Sequence, residues 1–231
     1  MRSMRIVTVA PGALLDSAYT DVIAPSFAPN ELSDVEELRD GVSAGSVNVL
    51  AALGDDDRPD AVAVGDWSAG TRVALLSYLA VRPGVRATGV GGRLLAHALV
   101  SWRELWQPDL ILAEIEHPAA HPAHVSYGDP EARVRFYARH GLRPLQLPYF
   151  QPALRPGFDR AYGLMLCLFA TDAEVSTVDG AVLRRWFTEY LVGTEGSVRE
   201  DSATTILLAA MAGDVPVLSL DDLDAVPVSG P

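Results

Sequence analysis

One stretch narrows the choice of folds more than any other. The apolar run Val73–Val81 stops at Arg82-Pro83-Gly84 and passes through a loop carrying Arg86, Gly89, Gly91 and Gly92. It then enters the helical spacing Leu94, Leu95, Ala98, Leu99, Trp102. A strand, a glycine-rich turn and a helix start in that order aim bare backbone N–H groups at an anion. The first amides of a helix have no internal acceptor, and the helix dipole favours negative charge beside them. Glycine adds close approach and access to positive φ. The spacing Arg-x-x-Gly-x-Gly differs from the Gly-Lys-Ser/Thr of a P-loop and from the Gly-x-Gly-x-x-Gly of a Rossmann turn.

The rest of the chain alternates strands and helices around this stretch. Residues 4–9 read as a first strand, and Pro11-Gly12 breaks it before an amphipathic helix over 13–23. Runs 46–53 and 61–67 are strand-like and flank a short acidic turn ending in Pro59, as in a hairpin. After the glycine loop the helix runs to Trp106, and Pro108 ends it. In the strand 110–116, Glu114 and Glu116 share one face by the two-residue period. Two readings of that pair stay open, a solvent-facing row and acids lining a cavity. Asp129-Pro130-Glu131 opens another helix, which closes at His140-Gly141. Apolar runs 147–150 and 162–169 read as a late antiparallel pair, and a last helix covers 179–191. Beyond Gly196 the chain reads as an appendage with an acidic tail.

Charge and residue usage exclude several functions. The net charge of −12 repels phosphate backbones, so nucleic acid is not an expected partner, whereas small cationic ligands are compatible with it. All 18 basic residues are arginine, which removes Schiff-base chemistry. Cys167 is the single cysteine, so no internal disulfide and no cysteine metal cluster can form, and its apolar run marks it as a small core residue. His117, His121 and His124 are interrupted by two prolines and follow no zinc pattern, so a loop beside a pocket is expected rather than a metal site. No apolar run is long enough to span a bilayer. A cytoplasmic protein of 231 residues is expected, with residues 1–170 as the main domain and 171–231 as a C-terminal helical appendage.

Three blocks in order resemble the GNAT superfamily of N-acetyltransferases, over about residues 5–170. Leu79–Leu95 resembles its acyl-CoA motif, Leu110–Glu116 the strand after it, and Arg133–Leu142 its closing Phe-Tyr-x-x-x-Gly-Leu block, here Phe136, Tyr137 and Gly141-Leu142. The resemblance implies an α/β (α+β) fold whose central sheet is mixed but mostly antiparallel, splayed in a V between strands 73–81 and 110–116, and flanked by helices. It implies acetyl-CoA as cosubstrate and a small amine as acceptor, with no metal. Backbone groups of Leu79, Ala80 and Val81 would pair with the pantetheine arm. The loop of Arg86, Ala87, Thr88, Gly89, Val90, Gly91 and Gly92 would hold the pyrophosphate, with the Arg86 guanidinium close by. Loops 24–40 and 117–130 would line the acceptor pocket, which makes Phe27 and Glu31 candidates there.

Attack of an amine on a thioester needs a base, a donor to the oxyanion and an acid for the thiolate. Tyr137 matches the family's tyrosine acid, and the alternative for it is a core aromatic beside Phe136. Several relatives carry a Glu or His on the strand before the loop, where this chain has Leu75 and Ser77. Glu114 or Glu116 is therefore the expected base, directly or through water. The leading expectation is an N-acetyltransferase. The alternatives are an O-acyl or longer-chain acyltransferase and a non-catalytic acyl-CoA-binding module. The apolar last helix either packs on its own domain or forms a homodimer.

Overall fold

Alternating apolar runs separated by tight polar turns build antiparallel ladders throughout the chain. The structure is a computed structural model that describes residues 4–86, 88–123, 128–155, 157–170 and 174–231. Ala87 and His124 lie outside the described residues. The chain divides into two compact units, Met1–Ile111 and Leu112–Pro231.

In the first unit four strands follow each other in chain order. They are β1 (Arg5–Thr8), β2 (Val47–Leu53), β3 (Pro59–Ser68) and β4 (Val73–Val81), each antiparallel to the next. The two faces of β3 do different work. Gly65 and Trp67 face the helix that follows β4, where a Cβ on Gly65 would stand 2.7 Å from the Trp102 ring and Trp67 stacks on Trp106 at 5.7 Å. Val62 and Val64 point the other way, into a core with Leu15, Val22, Ile23 and Leu38. Those partners come from α1 (Ala13–Ala18), the turns after it, and α2 (Val35–Ala44).

The single helix expected over 13–23 is α-helical only to Ala18. Tyr19–Ile23 widens into a π turn and Ala24–Ser26 tightens into a 3-10 turn, where Pro25 has no N–H to continue the ladder. α3 (Val90–Trp106) runs over the span the sequence indicates. It buries Leu94, Leu95, Ala98, Leu99 and Trp102, and the Trp102 indole donates to Asn48 Oδ1 at 3.0 Å.

The second unit contains β5 (Leu110–Glu116), β6 (Leu142–Pro144) and β7 (Leu164–Phe169). β7 lies in the middle, antiparallel to both neighbours. Between β5 and β6, α4 (Pro130–Ala138) is capped by Asp129, whose side chain accepts from the Glu131 amide at 3.0 Å. The strand expected over 147–150 does not form. Leu147, Tyr149 and Phe150 are all buried, so their apolarity reflects core filling on every side, and Pro144 and Pro148 withhold ladder donors.

Residues 174–231 pack onto this unit. β8 (Thr177–Val178) pairs with β9 (Val215–Pro216), on either side of α5 (Gly180–Glu195) and α6 (Ser202–Ala210). Phe187 of α5 meets Tyr149 at 5.6 Å and Phe150 at 5.4 Å. Buried Arg160 ties the helices together through Glu195 (2.7 Å) and Asp201 (2.9 Å) while lying over the Phe150 ring. The Arg143 guanidinium donates to the carbonyls of Val175, Val217 and Leu218. Near the C-terminus the Ser229 hydroxyl donates to the Tyr149 carbonyl at 2.5 Å.

Candidate functional site

The glycine loop in the first unit joins the end of β4 to the start of α3. β4 ends with Ala80 opposite Val62 and Val81 opposite Ala61, with Ala80 buried and Leu79 and Val81 half-buried. The chain then turns at Arg82, whose amide donates to the Asp60 carbonyl at 2.8 Å and whose guanidinium pairs with the Asp60 carboxylate. The Thr88 hydroxyl donates to the Val85 carbonyl at 2.8 Å and closes the loop on itself.

Gly89 then turns left-handed at φ 78° and opens α3, whose N-terminus has no side-chain cap. The amides of Val90, Gly91 and Gly92 therefore sit where a helix leaves its donors to an external acceptor. Gly91 packs closely on β4, where a Cβ would stand 3.0 Å from Val81 Cγ2. Arg86 is exposed, its one contact a 3.5 Å approach of Nε to the Val81 carbonyl, and no carboxylate pairs with it among the described residues.

The second unit holds the acids expected from β5 and α4. Glu114 and Glu116 fall on one face of β5, both half-buried. Each is engaged by neighbours. The Tyr149 hydroxyl donates to Glu114 Oε1, and the Gln151 amide donates to Oε2 at 2.7 Å. Burial and the adjacent Glu114 charge hold the Tyr149 phenol well above its ordinary value, so it remains the donor. Glu116 Oε2 receives the Arg133 guanidinium at 2.6 Å, and its Oε1 lies 3.9 Å from His121 Nδ1. These contacts fix both carboxylates in place, and each oxygen keeps a second lone pair beyond the bond it accepts.

Tyr137 differs. Its ring packs edge-on against Phe136 at 5.0 Å and Phe169 at 6.2 Å, yet its hydroxyl has no hydrogen-bond partner among the described residues. Burial pushes the phenol up to about 12, against a small opposing effect of Arg133, so it persists as a proton donor. The nearby histidines take structural partners. His117 accepts from the Ala119 amide at 3.1 Å and contacts the Leu223 carbonyl at 3.2 Å, and His121 contacts the Tyr162 carbonyl at 3.0 Å.

One acid escaped the reading of the sequence. Asp66 stands on β3 two residues beyond Val64, hence on the face turned to α1 and α2 rather than α3. The β3–β4 register slips beside it. Val64 opposes Tyr78 and Gly65 opposes Leu76, which leaves Ser77 as the extra residue of a β-bulge. From that bulge the Ser77 hydroxyl donates to Asp66 Oδ2. Burial raises the Asp66 carboxyl to about 6, with the Ser77 hydrogen bond opposing the shift. The signal in the sequence was a lone carboxylate closing the run Ala61-Val62-Ala63-Val64-Gly65, but nothing there located the bulge.

Phe27 and Glu31 belong to the same face. Phe27 packs edge-on against Tyr78 at 5.0 Å, and the Tyr78 hydroxyl donates to the Glu31 carbonyl at 3.1 Å and accepts from the Ser33 amide at 2.8 Å. The Glu31 carboxylate accepts from the Ala28 amide at 3.1 Å.

No protein-family model and no curated protein sequence matches this chain. Solved structures do. A Bacteroides thetaiotaomicron protein described as a GNAT-family acetyltransferase aligns at TM-score 0.57 and 23% identity, over 80% of this chain and 98% of that one. A Staphylococcus epidermidis protein described as a probable acetyltransferase aligns at TM-score 0.53 and 14% identity, over 74% and 100%. A GNAT-family acetyltransferase from Staphylococcus aureus aligns at TM-score 0.51 and 11% identity, over 73% and 100%. The chain has the fold of the GNAT acetyltransferases.

Proposed function

We propose that this protein is an acyl-CoA-dependent N-acyltransferase that moves the acetyl group of acetyl-CoA to an amine of a small molecule by direct attack on the thioester. The observation that carries this reading is the uncapped start of α3 behind left-handed Gly89, with the exposed Arg86 guanidinium free of any carboxylate among the described residues. A pyrophosphate needs several converging donors and a compensating positive charge, and this loop supplies both. Leu79, Ala80 and Val81 offer backbone groups for the amides of a pantetheine arm, as a strand edge does for a peptide. The likeness of fold supports the same cosubstrate.

The reaction consumes one neutral amine. The acceptor's ammonium first gives up a proton, the amine attacks the thioester carbonyl, and the tetrahedral intermediate expels the thiolate as its nitrogen loses a second proton to solvent. Tyr137 gives its phenol proton to that thiolate. At about 12 the phenol stays protonated at neutral pH and its anion readily recovers a proton from solvent, while the same shift makes it a weaker acid toward the thiolate than an ordinary tyrosine.

The test is calorimetric titration with coenzyme A and acetyl-CoA, followed by thiol release with a panel of primary amines and alcohols. Micromolar binding and amine-dependent release support the reading. Absence of coenzyme A binding overturns it, binding without release for any acceptor indicates a sensing module, and release with alcohols alone indicates O-acyl transfer.

A further inference from the structure

We propose that the Asp66–Ser77 pair at the β4 bulge receives the ammonium group of the acceptor and takes its proton, so that the preferred substrate is a cationic primary amine. The assignment rests on the acyltransferase reading above and adds to it a carboxylate in the first unit that can take the proton.

Three features of the first unit carry it. Asp66 is a half-buried carboxylate with one partner: Ser77 occupies Oδ2, while Oδ1 has no hydrogen-bond partner and no cation pairs with the group among the described residues. An acid placed to stabilise the fold would be paired, as Glu195 and Asp60 are here. The bulge re-aims Ser77 toward Asp66, a device that costs a regular ladder and is over-represented beside active sites. Beside the pair stands Tyr78, with Phe27 edge-on to it, and aromatic faces favour a cation.

The charged surroundings of Asp66 are sparse. β2 has no titratable side chain, and β4 contributes Tyr78, whose phenol is raised to about 12 by burial with a smaller contribution from Asp66. α1 and the turn after it bring Asp16, Tyr19 and Asp21, of which Asp16 is held by Arg39 and Asp21 by Arg58. α2 and the turn before it bring Glu31, Asp34, Glu36, Glu37, Arg39 and Asp40, of which Glu36 pairs with Arg39 and Glu31 and Glu37 accept from backbone amides. α3 carries Arg93, His97, Arg103 and Glu104 and packs on the opposite face of β3. Burial and Ser77 alone set the carboxyl.

In the step itself the Asp66 Oδ1 lone pair forms a bond to one ammonium proton as the N–H bond breaks, leaving a neutral amine and a neutral Asp66 carboxyl. After the amine has attacked, Asp66 returns that proton to solvent.

The experiment compares the full chain with Asp66→Asn and Ser77→Ala. It measures coenzyme A affinity, the pH profile of thiol release from acetyl-CoA with 2-phenylethylamine, and the Asp66 carboxyl titration by carbon-13 resonance. The expected result is a rate that rises through about pH 6 in the unaltered protein. Asp66→Asn loses that limb and about a hundredfold or more in kcat/KM with coenzyme A affinity unchanged. Ser77→Ala moves the limb upward, since its hydrogen bond favours the carboxylate.

An unaltered limb and rate in Asp66→Asn, with coenzyme A still bound, overturns this assignment and leaves the acyltransferase reading standing. Failure of the unaltered protein to bind coenzyme A overturns both. Should 2-phenylethylamine not be acetylated, the carboxyl titration decides: a midpoint near 6 that rises in Ser77→Ala supports the pair, and one in the ordinary carboxylate range overturns it.

Discussion

Replacing Arg86 with alanine separates ligand binding from folding at the glycine loop. In the free protein the side chain is exposed and makes one long contact, Nε to the Val81 carbonyl at 3.5 Å, with no ion pair among the described residues. Its removal therefore changes stability by no more than about 0.5 kcal/mol, a shift in Tm of under about 2 °C for a chain of this size. Against a bound pyrophosphate the same guanidinium makes charge-assisted hydrogen bonds, each worth about 1.5–3 kcal/mol when shielded. Exposure and salt reduce that to about 1–2 kcal/mol, which is a loss of about five- to thirtyfold in affinity for coenzyme A. Arg86→Lys retains the charge without the planar fork and falls between the two. Calorimetry at two salt concentrations measures this, and the unaltered protein is the more salt-sensitive. Equal affinity in Arg86→Ala and the unaltered protein refutes the cradle, as does a loss of affinity matched by a loss of Tm without ligand.

Three further outcomes are expected. Tyr137→Phe keeps the packing on Phe136 and Phe169, so it folds and binds coenzyme A, while kcat falls by about a hundredfold. The phenol rises from 10.0 to about 12, so its contribution to stability is full below pH 10 and is lost as pH climbs toward 12, and steady-state rates show no alkaline fall from this group below pH 10. Asp66→Asn is stabilising at neutral pH. The carboxyl rises from 3.8 to about 6, so its favourable contribution is complete below 3.8 and is lost as pH rises through 6. Denaturant titrations therefore place the variant above the parent by at most about 3 kcal/mol at pH 7.5 and level with it near pH 4, and a variant that is less stable at pH 7.5 contradicts the burial of that charge. Arg160→Met leaves the fully buried Glu195 carboxylate to Arg199 and the Ala153 amide alone and lowers stability by about 2–3 kcal/mol, read as a fall in urea midpoint, whereas Arg160→Met with Glu195→Met recovers much of it.

Local patterns were legible where one residue's neighbours in sequence are also its neighbours in space. β4, α3, β5 and the start of α4 at Asp129-Pro130 follow from apolar periodicity and capping chemistry, and the glycine loop follows from residue order. The run 147–150 misled because a segment buried on all sides has the same composition as a strand buried on both faces. The chain divides into compact units between residues 111 and 112, inside β5, and the C-terminal segment packs within the second of them through contacts such as Phe187 on Tyr149.

The sequence by itself determined the main strands and helices from β2 to α4, the glycine loop and the residue types available for chemistry, because each of these is a property of adjacent residues. Only the tertiary structure decided what each acid is free to do. Glu114 and Glu116 share a face of β5, as the two-residue period requires, but Tyr149, Gln151 and Arg133 reach them from positions 17 to 37 residues away. Asp66 gained its place through a slip of one residue in the β3–β4 register, which brought Ser77 against it. The state of a carboxylate depends on burial and on which distant donors fold against it, and that information appears only when the chain has closed on itself.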